Sequence, residues 1–493
     1  MYYISTRGQC APVPSAVAIK QGLCEDGGLY MPEQIPAITH AELTTLRSRS
    51  YPERAAYILG KFLTDYTNEE LLSDASEAYA TQRFVKGATA LSILHDMTLL
   101  ELFHGPTCAF KDMALQIMPR LFARALKKTG EERTALILVA TSGDTGKAAL
   151  EGYKNIDGIK IQVFYPTDGV SRIQKLQMQT QVGKNVSVMA IKGNFDDAQT
   201  GVKRIFSDEE MRTHLSDRGV FLSSANSINW GRLVPQIVYY VSAYCDMIAD
   251  GVIELGDEID VTVPTGNFGN IFAAYLAKKM GLPIRKLVCA SNANNVLTEF
   301  LASGTYSRNR PFFKTISPSM DILISSNLER LLYLVLGTEK TREYMKELSE
   351  HGEYTLSRED FLAVTESFVG YCASEQETRD AIKTVFEKEK YLTDTHTAVA
   401  IVAARKYMCH SEAPRKMLTV STASPYKFAP DVLLSLGKSV NADSVGILDA
   451  LSEVSSTEIP APLAALKNKD VRFSEMISRD DMESAVLAFA SQK

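Results

Sequence analysis

The sequence predicts an α/β protein built from two mostly parallel α/β domains and a helical N-terminal region. Three observations carry this. Short apolar runs, "TALILVA" (134–140), "IKIQVFY" (159–165), "VSVMAI" (186–191), "IDVTVPT" (259–265), "RKLVCAS" (285–291) and "KMLTVST" (416–422), alternate with helical segments. Runs of that kind, apolar on both faces and separated by helices, belong to parallel sheets. They fall into two groups divided near residue 245, which implies two units with a cleft between them. Ahead of them, "AELTTLRSRSYPERAAYILGKFLTDYTNEELLSDASEAYA" repeats its apolar residues every three or four positions, the period of amphipathic helices.

Taken in order, residues 1–98 form the helical region, 99–133 and 246–493 a larger α/β domain, and 134–245 a smaller one. Within the larger domain, 328–389 is charged and helical in pattern, as an insertion or covering layer would be. A chain of 493 residues suits two or three compact units. Its 45% hydrophobic and 23% charged residues describe an ordinary soluble globular protein. The 53 basic and 59 acidic residues give a net charge of −6 with no long basic run, so a nucleic-acid partner is not expected. The 7 cysteines contain no C-x-x-C pair, which argues against a disulfide framework or a metal cage and for a reducing compartment. The start, "MYYISTRGQCAPVPSAV", lacks a basic segment followed by an apolar run. With no apolar stretch of about 18 residues elsewhere, no membrane span is expected, and the location expected is cytoplasmic.

Two strand-to-helix turns are candidates for chemistry. In "VATSGDTGKAALEGY", Thr141, Ser142, Asp144 and Thr145 surround Gly143 at a helix N-terminus, where backbone N–H groups and hydroxyls suit a carboxylate or phosphate. The GK pair is not a Walker loop, because Thr141 stands where glycine is required and Ala148 follows the lysine. Taken alone, the turn reads first as a tight helix start capped by Asp144 or Thr145. In "VPTGNFGNIFAAYLAKKMG", Gly266, Asn267, Phe268, Gly269 and Asn270 place two glycines three apart before an apolar helix, a geometry that lets amides approach an anion. The fuller G-x-G-x-x-G dinucleotide fingerprint is missing. A third candidate is Lys111 in "FHGPTCAFKDMALQ", set among Phe103, Ala109, Phe110, Met113, Ala114 and Leu115. Apolar surroundings favour the neutral amine, which can attack an aldehyde. An aldehyde cofactor bearing a phosphate, pyridoxal 5′-phosphate, would use a lysine and an anion loop together, and would need a partner for its ring nitrogen. Thr422, at the end of a strand in "TVSTASPYKFAPDV", fills that place, with Ser421 and Ser424 as alternatives.

With these in hand, the chain resembles the threonine synthases of the long microbial type, in the tryptophan-synthase-β-like group of pyridoxal-phosphate enzymes. The resemblance runs through "YISTRG", "FHGPTCAFKD", "ATSGDTG", "KGNFDDAQ" (192–199), "SANSINWGRL" (224–233), "PTGNFGN" and "STASPYKF". It implies a cofactor in the cleft between the domains, with Lys111 as its Schiff-base lysine, Gly266 to Asn270 around its phosphate, Thr422 at its pyridine nitrogen and Asp144 beside its phenolic oxygen. Thr141, Ser142 and Thr145 would hold the substrate carboxylate, and Asn226, Ser227 and Arg232 its phosphate. The implied reaction turns O-phospho-L-homoserine and water into L-threonine and phosphate. A phospho-lyase releasing 2-oxobutyrate is the alternative, and a non-catalytic protein of the same fold a remote one. A monomer or homodimer is expected, and no appended N-terminal control domain. Two positions depart from the family pattern: Thr395 in "DTHTA", where proline is usual, and Cys108, where leucine is common.

Overall fold

The protein is described by a computed structural model covering residues 1–167, 170–411, 415–440 and 445–492. Two sheets dominate it. The larger has six strands, in spatial order Phe368–Cys372, Ile284–Ser291, Ile259–Pro264, Lys416–Ser421, Thr98–Glu101 and Ala90–Ile93. All neighbours are parallel except the last pair. The smaller has five parallel strands, in order Met476–Ile477, Val186–Ile191, Ile159–Pro166, Thr134–Ala140 and Val220–Ser223. The fold class read from the sequence is therefore the one present, and each apolar run named above is a strand of one sheet or the other. Among the described residues no helix is long and apolar enough to cross a membrane.

The N-terminal helices start where short sequence signals put them. His40–Leu46, Tyr51–Phe62 and Asn68–Ala78 each follow a threonine or serine with glutamate three residues later, and each forms a reciprocal capping box through Thr39, Ser50 or Thr67. The region is not wholly helical, however. Val13–Pro14, Tyr2–Ser5 and Tyr30–Pro32 make a small antiparallel sheet, and Ala90–Ile93 edges the large one. The stretch 328–389 also differs from its expected helical pattern: Phe368–Cys372 pairs in parallel with Ile284–Ser291. At the C-terminus, Met476–Ile477 joins the smaller sheet and Met482–Ser491 packs with it, although sequence order alone groups these residues with the larger unit. Edge strands of two to five residues bury too little apolar surface to leave a run in the sequence.

The N-terminal region reaches the centre of the molecule through Trp230. Its buried ring lies 5.4 Å from Tyr3 and 5.7 Å from Phe62, which fixes the segment from 224 to 233 from behind.

Candidate active site

Parallel sheets gather loops at the C-terminal ends of their strands, and neighbouring strands bring distant loops together there. In the larger sheet, Thr98–Glu101, Lys416–Ser421 and Ile259–Pro264 are adjacent, so the loops that follow them, carrying Lys111, Thr422 and Gly266, share one edge. In the smaller sheet, Thr134–Ala140 and Val220–Ser223 are adjacent and deliver Thr141 to Thr145 and Asn226 to Arg232. The two edges meet: Lys111 Nζ lies 4.0 Å from Asp144 Oδ2, and Lys427 Nζ lies 2.6 Å from Asp144 Oδ1.

The 266–270 loop is a cradle of donors. Among the described residues no acceptor takes the N–H groups of Gly266, Asn267 or Phe268. Its carbonyls are tied from behind: Ser325 Oγ donates to Gly266 O (2.7 Å), and Asn327 donates through Nδ2 to Asn267 O (2.9 Å). Tyr239 and Tyr240 both donate to Asn270 Oδ1, so Asn270 Nδ2 is left as a buried donor with no partner among the described residues. Gly266 is required by space, since a Cβ there would come within 2.6 Å of the Ser319 carbonyl oxygen. Phe268 holds the left-handed conformation (φ 60°), an unfavourable one for a bulky residue, with its ring buried 5.5 Å from Phe368. Converging unpaired donors, a buried orphan amide and a helix N-terminus at Gly269 fit a phosphate.

The turn at 141–145 is organised differently. Thr141 Oγ1 accepts from Gly143 N (3.0 Å) and Gly146 N (2.9 Å), so this residue, rather than Asp144 or Thr145, closes the helix start. Asp144 is free to face inward, where Oδ1 accepts from Lys427 and from Gln174 Nε2 (2.7 Å). Burial alone would raise its pKa, but Lys427 and Lys111 outweigh it and hold the carboxylate well below the usual range. Lys111 responds the other way: burial pushes its amine down to about 8, opposed by Asp144 and assisted by Arg232 and Lys427. Ser142 and Thr145 are half-buried on the same turn.

Arg232 begins to define a second anion position. It is 7% exposed, donates to Ala225 O (3.0 Å) and Thr145 Oγ1 (3.4 Å), and has no carboxylate partner among the described residues. Burial lowers its pKa to about 10, against the opposing influence of Tyr153. A buried guanidinium without a counter-ion is costly unless an anion arrives. Asn226 and Ser227 lie half-buried on the preceding loop. On the facing edge, Thr422 is buried, its carbonyl accepting from Phe110 N (2.8 Å) and its N–H donating to Thr397 Oγ1 (3.3 Å). Ser421 Oγ is already engaged with Thr397 Oγ1 (3.0 Å), whereas the Thr422 hydroxyl makes no hydrogen bond among the described residues.

The two departures have local explanations. Thr395 is the first residue of the helix Thr395–His410, the position where proline is also readily accommodated, and Asp394 caps that helix. Cys108 is buried, with φ 59°, and burial pushes its thiol up to about 12. Two participants carried no sequence signal. Lys427 lies in "STASPYKF" but its partner Asp144 is far away in the chain, and Gln174 sits in a helix whose polar face reads as solvent-exposed.

Residues 97–423 match the family model for pyridoxal-phosphate dependent enzymes, the class to which this fold and edge-to-edge site belong. Residues 2–79 match the threonine synthase N-terminal model and 397–486 the threonine synthase C-terminal model. The threonine synthase of Pseudomonas aeruginosa is 37% identical over 434 residues, covering 87% of this chain and 89% of that protein. Human "Threonine synthase-like 1" is 40% identical over 442 residues, covering 87% of this chain but only 58% of the human protein. Among solved structures, PLP-bound threonine synthase from Brucella melitensis superposes with a TM-score of 0.88 at 36% identity, with both chains fully covered. The yeast threonine synthase gives 0.89 at 32% identity, over 100% of this chain and 99% of that one. The chain belongs to the threonine synthase family of pyridoxal-phosphate-dependent enzymes.

Proposed function

We propose that the protein converts O-phospho-L-homoserine and water into L-threonine and inorganic phosphate. The observation that carries this reading is Arg232, buried without a carboxylate partner among the described residues and in contact with Thr145 on the turn that holds Asp144. It supplies a second phosphate position, separate from the 266–270 cradle, and an enzyme whose substrate and cofactor both bear phosphate needs two. Lys111 would anchor pyridoxal phosphate covalently, residues 266–270 would hold its phosphate, Thr422 would face its ring nitrogen and Asp144 would lie beside its phenolic oxygen. When bound, the cofactor supplies an electron sink for the pair left behind as a proton leaves the substrate's Cα.

The chain's own residues do the rest. The Lys111 amine, once released from its anchoring role, takes the proton from Cα; burial makes it a base suited to near-neutral pH. The same amine is placed to shuttle protons between Cβ and Cγ as the phosphate departs. Thr141, Ser142 and Thr145 orient the substrate carboxylate at the helix N-terminus, and Arg232 with Asn226 and Ser227 holds the phosphate. Guanidinium geometry suits that duty because it offers paired donors to two oxygens. Water then adds at Cβ as hydroxyl, losing a proton to the site, and Lys111 returns a proton to Cα.

A second reading has its own support: the chain aligns well with a relative named only "threonine synthase-like", of which it spans 58%. Under it, the elimination half survives and 2-oxobutyrate is the product. Phosphate release from O-phospho-L-homoserine, with amino-acid and keto-acid products separated and quantified, decides between them. Threonine in proportion to phosphate upholds the synthase; 2-oxobutyrate in its place upholds the lyase; no phosphate release removes both.

A further inference from the structure

Lys427 is a buried lysine with no place in the reaction as proposed above. It sits in the short helix Pro425–Phe428, completely buried, directly after the strand that ends beside Thr422. Its segment is pinned to the lysine loop: Ser424 N donates to Cys108 O (3.0 Å), and Lys427 Nζ donates to Thr107 O (2.9 Å). From there Nζ reaches across to Asp144 Oδ1 at 2.6 Å, while Lys111 stands off from Oδ2 at 4.0 Å, beyond hydrogen-bonding distance. Two buried lysines thus face one carboxylate, which pairs closely with Lys427 and not with Lys111.

We propose that Lys427 is a positioning residue, holding Asp144 away from Lys111 so that the Lys111 amine stays free to react. The proposal rests on the reading of Lys111 as the reactive amine. The charged groups facing Lys111 are Asp144, Arg232 and Lys427, with the Phe110 ring 5.1 Å from its Nζ. Those facing Lys427 are Asp144, Asp112 and Lys111, with the Cys108 thiol nearby. Asp112 cannot substitute for Asp144, since its oxygens are taken by Thr107 N (2.8 Å), Thr107 Oγ1 (2.8 Å) and Gln116 Nε2 (3.0 Å). Gln174, the other ligand of Oδ1, is held by the Ser171 cap of its helix and bears no charge. With a neutral side chain in place of Lys427, Asp144 would have only Lys111 left, and closing onto it would keep Lys111 protonated. Losing the like charge of Lys427 acts in the same direction.

The test is the pH dependence of Lys111 reductive methylation, by formaldehyde with a borohydride reductant, in the full chain freed of pyridoxal phosphate, read by peptide mass spectrometry. In the wild-type protein Lys111 should methylate with a midpoint near pH 8. In Lys427→Met the midpoint should rise by about one unit or more, so that labelling at pH 7.5 slows roughly tenfold; Lys427→Arg should restore the wild-type curve. A folded Lys427→Met with an unchanged midpoint overturns the proposal. Should that variant not fold, Lys427→Gln carries the same test with a smaller rise, about half a unit. If neither neutral variant folds while Lys427→Arg does, the ion pair is purely structural and the proposal fails. A wild-type midpoint like that of the surface lysines would instead remove the reading of Lys111 as the reactive amine.

Discussion

The turns at 141–145 and 266–270 each lie between a parallel strand and a helix N-terminus, yet they are built to opposite electrostatic ends. The second is neutral and clamped. Its carbonyls are held by Ser325 and Asn327 and its Asn270 by two tyrosines, and among the described residues no acceptor takes the N–H groups of Gly266, Asn267 or Phe268. The first is charged and lightly held. Its own Thr141 closes the turn, and Asp144 draws two lysines from the facing sheet. Helix dipoles favour negative charge at both sites. At 266–270 a bound anion would supply that charge, whereas at 141–145 the chain supplies it as Asp144, leaving Lys111, Lys427 and Arg232 as a surplus of positive charge nearby. A static cradle suits a group that stays bound through every turnover; a charged turn suits the place where protons and a leaving phosphate move.

The greatest damage is expected on the charged side. Lys111→Ala would remove the amine proposed above as both covalent anchor and base, and turnover should fall by at least about 10³-fold. Steady-state phosphate release measures this, and near-normal turnover would show that another amine does the work. Arg232→Leu should follow. Losing a buried, charge-assisted phosphate contact costs about 2–5 kcal/mol, which would raise KM some thirtyfold or more while leaving the absorbance of bound pyridoxal phosphate intact. Lost cofactor binding in that variant would mean that the assignments of the two anion sites are exchanged.

The clamped side should answer in cofactor affinity instead. Gly266→Ala drives a Cβ to 2.6 Å from a backbone oxygen that cannot rotate away. Overpacking of this kind costs about 1–3 kcal/mol and should weaken the Kd for pyridoxal phosphate roughly ten- to hundredfold, by titration of the cofactor-free chain. His396 stiffens that wall, since its Nε2 accepts from Ser319 N (3.1 Å) and its Nδ1 rests on Asp394. Asn327→Leu should do less. It deletes one of two ties on Asn267 O and strips an acceptor from the buried Arg330, a stability cost of about 1–3 kcal/mol, yet Ser325 still holds Gly266. Thermal melting should move more than Kd; the reverse order would make Asn327 a direct cofactor contact.

How far the sequence exposed this contrast follows from what each side is made of. The central strands were legible because a strand covered on both faces must be a continuous apolar run, as in "TALILVA" and "IDVTVPT". Val220–Ser223 and Phe368–Cys372 were not, being short, and the second is hidden between charged helices. Gly266 and Gly269 signalled a cradle because close backbone approach needs glycine. Nothing local marked Lys427: a lysine in a loop defaults to solvent, and only the pairing of Lys416–Ser421 with Thr98–Glu101, facing the other sheet, turns it inward to Asp144. Thr141 was legible as a site residue by its position, but its work in closing the turn depends on Gly143 at φ 136°, which residue identity does not disclose.

A thiol also lies in the field of the same charges. Cys108 and Lys111 share one loop, and burial presses both toward the neutral form. The consequence is opposite for the two chemistries, because the neutral amine is the reactive form of lysine, whereas the thiolate is the reactive form of cysteine. Lys427 and Lys147 pull the thiol toward ionisation, but burial outweighs them and leaves it at about 12. At pH 7.5 the thiolate fraction is then of order 10⁻⁴ to 10⁻⁵. Iodoacetamide should alkylate the exposed Cys409 readily and leave Cys108 unmodified, with phosphate release unchanged over the same interval. Rapid inactivation matched by carboxamidomethylation of Cys108 would mean that the positive surplus around Asp144 reaches further along the loop than its effect on Lys111 implies.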